Sequence, residues 1–131
     1  MLHAGAMDEV LTDAIAPVLR DLESAGIESP QIKAGSWVDE PDIASATLLS
    51  PDGGRTGVSF SRLLSTVERV ASTADQVQAW VIEEQWTGGS TNWPPCPRHP
   101  RNHPMTVSIQ GAVAAWTCPK DNVVVAPVGE L

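Results

Sequence analysis

The sequence predicts a single α+β domain of 131 residues, with two helices packed on a mostly antiparallel sheet and a smaller C-terminal β-hairpin module. Three observations predict it. Two stretches carry apolar residues at helical spacing, and the runs between and after them are strand-like and bounded by turn residues. Charge and proline are also divided unevenly along the chain. Residues 1–84 hold fourteen acids and five bases, whereas 85–131 hold Arg98, Arg101 and Lys120 against Asp121 and Glu130. Five of the eleven prolines fall between Pro94 and Pro104. An acidic α+β body over 1–86 is therefore expected to lead into a proline-rich module over 87–131.

The first helix is expected from Asp8 to Ala25, because Leu11, Ile15, Val18 and Leu22 recur on one face. Asp8 suits the N-cap and Gly26 the position just past the end. Pro17, lacking an N–H, is expected to kink or split this helix. Strands are expected over Ile32–Val38, Ile43–Ser50 and Arg55–Ser61, the last two joined through the turn residues Pro51-Asp52-Gly53-Gly54. Asp39-Glu40-Pro41-Asp42 reads as a solvated acidic turn.

The second helix rests on Leu63, Val67, Val70, Ala74, Val77 and Val81, with Trp80 widening the stripe. Ser65 and Glu68 have the S-x-x-E spacing of a capping box. Thr87–Asn92 reads as a connector. Beyond it, Val107, Ile109 and Val113 alternate up to Trp116, with Gly111 expected at a bulge or a close backbone approach. A last short strand is expected over Val123–Val128 after the Pro119–Asn122 turn, with Pro127 confining it to an edge or ending it.

Composition excludes several classes of function. No apolar run reaches the ~20 residues needed to span a bilayer. The first seven residues have neither a basic region nor an apolar one, so a cytoplasmic chain is expected rather than a secreted one. A formal charge of −8 repels polyanions, which disfavours nucleic-acid and anionic-membrane partners and leaves protein as the expected partner class.

The chemistry-bearing signal lies in the last third. Both cysteines and two of the three histidines form C-x2-H-x3-H-x14-C, namely Cys96, His99, His103 and Cys118. Zinc takes this mixture of thiolate and imidazole in tetrahedral sites. The two residues between Cys96 and His99 suit a knuckle that points both side chains at one ion, and a hairpin would return Cys118 to it. Four protein ligands close the coordination sphere, so one structural Zn2+ is the expected cofactor. The neighbouring prolines stiffen the loop, and Trp93 and Trp116 either wall the site from water or serve as ordinary core. The same cysteines also allow a disulfide, disfavoured in a reducing compartment, or two inert buried thiols.

Catalytic signals are weak. A catalytic zinc would need three ligands, a bound water and a carboxylate base such as Asp121, Glu83 or Glu84. H-E-x-x-H, the deaminase pattern, G-x-S-x-G and the P-loop are all absent. Arg98, Arg101 and Lys120 interleave with the candidate ligands and, with Trp93 for stacking, would serve a nucleic-acid-binding module. His3 carries no assigned role.

Asn92-Trp93-Pro94-Pro95-Cys96-Pro97-Arg98-His99, His103-Pro104 and Trp116-Thr117-Cys118-Pro119 together make an NWPPCPxH…HP…WxCP pattern. In this the chain resembles small proteins of high-GC Gram-positive bacteria and their phages, a group with no assigned activity. The pattern is also similar to a divergent zinc ribbon, with Cys96-Pro97-Arg98-His99 as one knuckle. The second knuckle, Cys118-Pro119-Lys120-Asp121, has a single cysteine, and His103 would complete the ligand set. The expected function is a non-enzymatic protein-binding or adaptor domain, with a small zinc-dependent hydrolase and a nucleic-acid-binding zinc module as alternatives.

Overall fold

The computed structural model describes residues 8–33, 40–84 and 92–131. Its elements in order are α1 (Glu9–Ser24), β1 (Gln31–Lys33), β2 (Ile43–Leu49), β3 (Arg55–Ser61), α2 (Thr66–Glu84), β4 (Thr106–Gln110), β5 (Val113–Thr117) and β6 (Val124–Pro127). The class is α+β, as the periodicities imply. The strands form two antiparallel sheets of three, in the orders β1-β2-β3 and β4-β5-β6, where one sheet and a hairpin were expected. His3, Asp39, Trp86, residues 34–38 of the first expected strand and residues 87–91 of the connector lie outside the described residues.

Helix α1 starts where the Asp8 side chain accepts the Val10 N–H at 3.0 Å. It ends in a Schellman arrangement, with Ile27 N–H donating to the Leu22 carbonyl and Gly26 N–H to that of Glu23, both at 3.0 Å. Pro17 does not split it. The interior proline costs about 3 kcal/mol, but Leu11, Ala14, Ile15, Val18 and Leu22 are all buried along one face. Burying that stripe outweighs the lost hydrogen bond.

Helix α2 opens with the expected capping box: Ser65 N–H donates to Glu68 Oε1 at 2.9 Å and Glu68 N–H to Ser65 Oγ at 3.2 Å. The box places Leu63 ahead of the helix, where it is 83% exposed and forms no part of the apolar stripe. From α2, Trp80 Nε1 donates to Ser50 Oγ at 2.9 Å. The Gln76 amide accepts the Ser59 N–H at 3.0 Å and donates to the Ser59 carbonyl at 2.7 Å. It thereby occupies part of the open edge that β3 would otherwise present to another strand.

The second sheet corrects the reading of Gly111. Gln110 pairs with Val113 across a two-residue loop, and Gly111 sits at its first position with φ 64°. This is the left-handed backbone that tight hairpins demand. The alternating run read as one strand is therefore two, β4 and β5. Strand β6 pairs only with β5 and stops at Pro127, an edge placement that needs no N–H from the proline.

One core joins these parts. Leu11, Ile15 and Val18 of α1, Ala46 and Leu48 of β2, and Val77 and Val81 of α2 share a cluster with Trp93, Met105, Trp116 and Val128. At its edge the buried Asp21 carboxylate accepts three hydrogen bonds, from Trp116 Nε1 at 2.8 Å, Gly129 N–H at 2.7 Å and Leu131 N–H at 3.0 Å. The last residues thus lie against α1. A Cβ on Gly129 (φ 101°) would come within 2.9 Å of Arg20 Nη2 and 3.0 Å of Pro17 Cβ. Among the described residues, no helix is long and apolar enough to cross a membrane.

Two outcomes follow from these contacts. Asp21→Ala leaves three donors without their acceptor and should cost about 3 kcal/mol or more, read as a lowered urea midpoint at unchanged m-value. The second concerns Asp8, whose carboxyl is held below its ordinary 3.8 chiefly by the Arg62 guanidinium bonded to it. A depressed folded pKa stabilises the fold above the unfolded value, and that contribution is lost as pH falls through the folded one. Arg62→Ala should therefore cost about 0.5–1 kcal/mol at pH 7 for this partly exposed pair. The gap from wild type should close as Asp8 protonates below pH 3.8, as urea melts over pH 2–7 would register.

Candidate metal centre

The segment before β4 is folded by its own backbone and pinned by α2. Met105 N–H donates to the Pro94 carbonyl at 2.8 Å, and Pro95 and Pro104 form a bridge, so both ends of the 95–104 loop meet. The buried Gln78 side chain donates to the carbonyls of Met105 and Trp93, tying both ends to one helix position. Inside the loop, His99 N–H donates to the Cys96 carbonyl and Asn102 N–H to that of His99, both at 3.0 Å. These turns place Cys96, His99 and His103 on the same side of the loop.

The fourth member arrives by way of the second sheet. Cys118 directly follows β5, its N–H donating to the Val123 carbonyl at 2.9 Å and its carbonyl accepting from Asn122 at 2.8 Å. Asn122 adopts φ 57°, a left-handed conformation that asparagine tolerates better than most residues. Within this turn the Asp121 N–H donates to Cys118 Sγ at 3.4 Å.

The four side chains converge. Their ligand atoms all lie within 4.8 Å of one another, and together they form a group that can hold a metal ion. His99 Nδ1 lies 3.8 Å from Cys96 Sγ, 3.6 Å from Cys118 Sγ and 3.1 Å from His103 Nε2. Both cysteines are fully buried and both are free thiols. Burial pushes the Cys118 thiol up, yet the backbone amides of Asp121 and Lys120 and the Cys96 thiol outweigh it and hold Cys118 below its ordinary value.

The outward nitrogens of the two rings also face oxygens. His103 Nδ1 is 3.0 Å from the Pro104 carbonyl, which requires the proton on Nδ1 and leaves Nε2 free to ligate. His99 Nε2 lies 3.8 Å from Asp121 Oδ2. That carboxylate is in turn 2.8 Å from Arg98 Nε, and the guanidinium holds its pKa below the usual carboxylate range.

Around the cluster, Trp93 and Trp116 are buried and meet edge to face with centroids 5.5 Å apart. Both belong to the hydrophobic core, as the second of the two sequence readings has them. Glu84 lines a separate cavity with Ile27, Glu28, Pro51 and Trp80, and neither it nor Glu83 belongs to the cluster. Sequence reasoning missed Gln78, whose place on the helix gives no sign that it binds a distant loop. It named Asp121 as a possible carboxylate base and as the last residue of the second knuckle, but did not place it beside His99 and Arg98. Comparison with family models, with curated proteins and with solved structures found no match to this chain.

Gln78→Leu keeps the volume but leaves two carbonyls without their donor. It should cost about 1–3 kcal/mol and speed amide exchange at Met105 and His99, which hydrogen-exchange mass spectrometry would resolve, with α1 little changed.

Proposed function

We propose that the chain binds one structural Zn2+ through Cys96, His99, His103 and Cys118, and acts as a non-enzymatic, cytoplasmic protein-binding or adaptor domain. The observation that carries this reading is the convergence of four donor atoms within 4.8 Å, two of them fully buried sulfurs. A zinc tetrahedron with bonds of about 2.3 Å to sulfur and 2.0–2.1 Å to nitrogen has edges of roughly 3.3–3.8 Å. Separations of 3.1, 3.6 and 3.8 Å about His99 Nδ1 suit such an ion. A mixed thiolate and imidazole set favours zinc over the hard cations.

Four protein ligands leave no position for an activated water, which weighs against the hydrolase. The nearest carboxylate, Asp121, faces the outward nitrogen of His99 and not the convergence point. The nucleic-acid module loses support as well, because Trp93 is only 5% exposed and Arg98 is engaged by Asp121. Surface apolar residues on the second sheet and its border, namely Ile109, Val113, Val123 and Val124, favour a protein partner. A divergent zinc-ribbon kinship belongs to the same proposal, with Cys96–His99 as one knuckle and His103 and Cys118 completing the set.

The test is elemental analysis and thermal melting of untagged protein purified without chelator. One zinc per chain is expected, lost in Cys96→Ser and in His103→Ala. Free zinc at a thousandfold excess over Kd stabilises the fold by about 4 kcal/mol, so chelation should lower Tm by on the order of 10 °C. Zinc retained in His103→Ala would indicate an open position and favour the hydrolase. Wild-type protein that takes up no zinc would sink the reading altogether.

A further inference from the structure

Asp121 stands three residues after Cys118, the interval that separates Cys96 from His99. It therefore holds the place a second knuckle would give to a ligand, while His103 has joined the cluster instead. Its carboxylate is directed elsewhere, 2.8 Å from Arg98 Nε and 3.8 Å from His99 Nε2. Arg98 lies inside the first knuckle, so this ion pair laces together the two turns that carry the cluster.

We propose that Asp121 is a positioning residue of the metal centre, orienting the His99 ring so that its Nδ1 is turned toward the ion. The proposal rests on the zinc reading above. A neutral imidazole that ligates through Nδ1 must carry its proton on Nε2, and a carboxylate facing Nε2 favours that tautomer. His103 makes the mirror-image choice, with Nε2 in the cluster and Nδ1 at the Pro104 carbonyl. Both rings thus have one nitrogen in the group and the other facing an oxygen, at hydrogen-bond distance for His103 and at 3.8 Å for His99, on the side where outer-shell partners orient metal-binding histidines. Arg98 fixes the direction of the carboxylate, and its own side chain is half exposed, so it serves the centre without being needed by the core.

The experiment is zinc competition against a chromophoric chelator, with Co2+ as the spectroscopic probe, on wild type, Asp121→Asn, Asp121→Glu and Arg98→Gln. Loss of an outer-shell partner typically weakens metal binding 10–100-fold, and Asp121→Asn should fall in that range with one ion per chain and tetrahedral cobalt absorption retained. Asp121→Glu should recover part of the loss, and Arg98→Gln should weaken binding by less than Asp121→Asn. In the cobalt protein, the shifted exchangeable ring N–H of His99 should exchange faster with solvent in Asp121→Asn, a change that simple loosening of the fold would not confine to one ring. Asp121→Asn and Arg98→Gln binding zinc as tightly as wild type would overturn the proposal and leave the zinc reading intact. Failure of wild type to bind either metal would remove both.

Discussion

The Trp116 indole is the point on which both parts of the fold bear. It is fully buried, its Nε1 donates to Asp21 of α1, and its ring meets Trp93 edge to face. Its backbone pairs with Val107 on one side and Ala126 on the other. Two residues later comes Cys118. A three-stranded sheet of four- and five-residue strands buries too little to stand alone. Trp116 supplies what it lacks, because one large side chain satisfies the sheet, the helix and the loop that carries Cys96. The carboxylate that receives the indole N–H also receives two backbone N–H groups from the last residues. Position of the second sheet and path of the last residues are consequently tied to one buried side chain.

This arrangement explains how a loop and a strand end can share one centre. Cys96, His99 and His103 are local to each other, and turn hydrogen bonds fix their relative positions at small entropic cost. Cys118 is fifteen residues beyond His103, and its approach depends on the register of β4 against β5. A slip of one residue in that ladder would turn its side chain to the opposite face. The two-residue Gly111-Ala112 turn guards the register at one end and the Trp116 contacts guard it at the other. Gln78 then holds the loop to α2 from below, so both sides of the cluster are referred to the same helix-packed core.

Much of this was legible in the sequence because it is local. The stripes of α1 and α2, the Ser65–Glu68 box and the Asp8 cap each depend on residues within one or two turns, where spacing alone carries the information. The Cys96, His99, His103 and Cys118 grouping was legible for another reason: few other roles bring two thiols and two imidazoles into a proline-stiffened stretch. What escaped was decided by tertiary contact. Pro17 reads as a helix breaker until the buried stripe on both sides of it is counted. Leu63 fits the helical period yet lies two residues ahead of the Ser65 cap. Gly111 looks the same in sequence whether it marks a bulge or a turn, and only strand pairing separates the two. Asp21 and Gln78 are polar residues on helices that look solvent-facing until partners about 95 and 27 residues away are brought to them.

The consequence for function lies in how the centre is built into the rest. An ion held by all four side chains would link the 95–104 loop to the end of β5, two segments that the Arg98–Asp121 ion pair also joins. Its binding energy would then appear as folding energy of the C-terminal part. A catalytic centre has the opposite requirement, since it needs one position that the protein leaves to water or substrate. Here the sulfurs are fully buried, both imidazoles have their outward nitrogens facing oxygens, and the Asp121 carboxylate is engaged by Arg98. Each of these features would limit the freedom of a ligand side chain, which is what a closed centre requires.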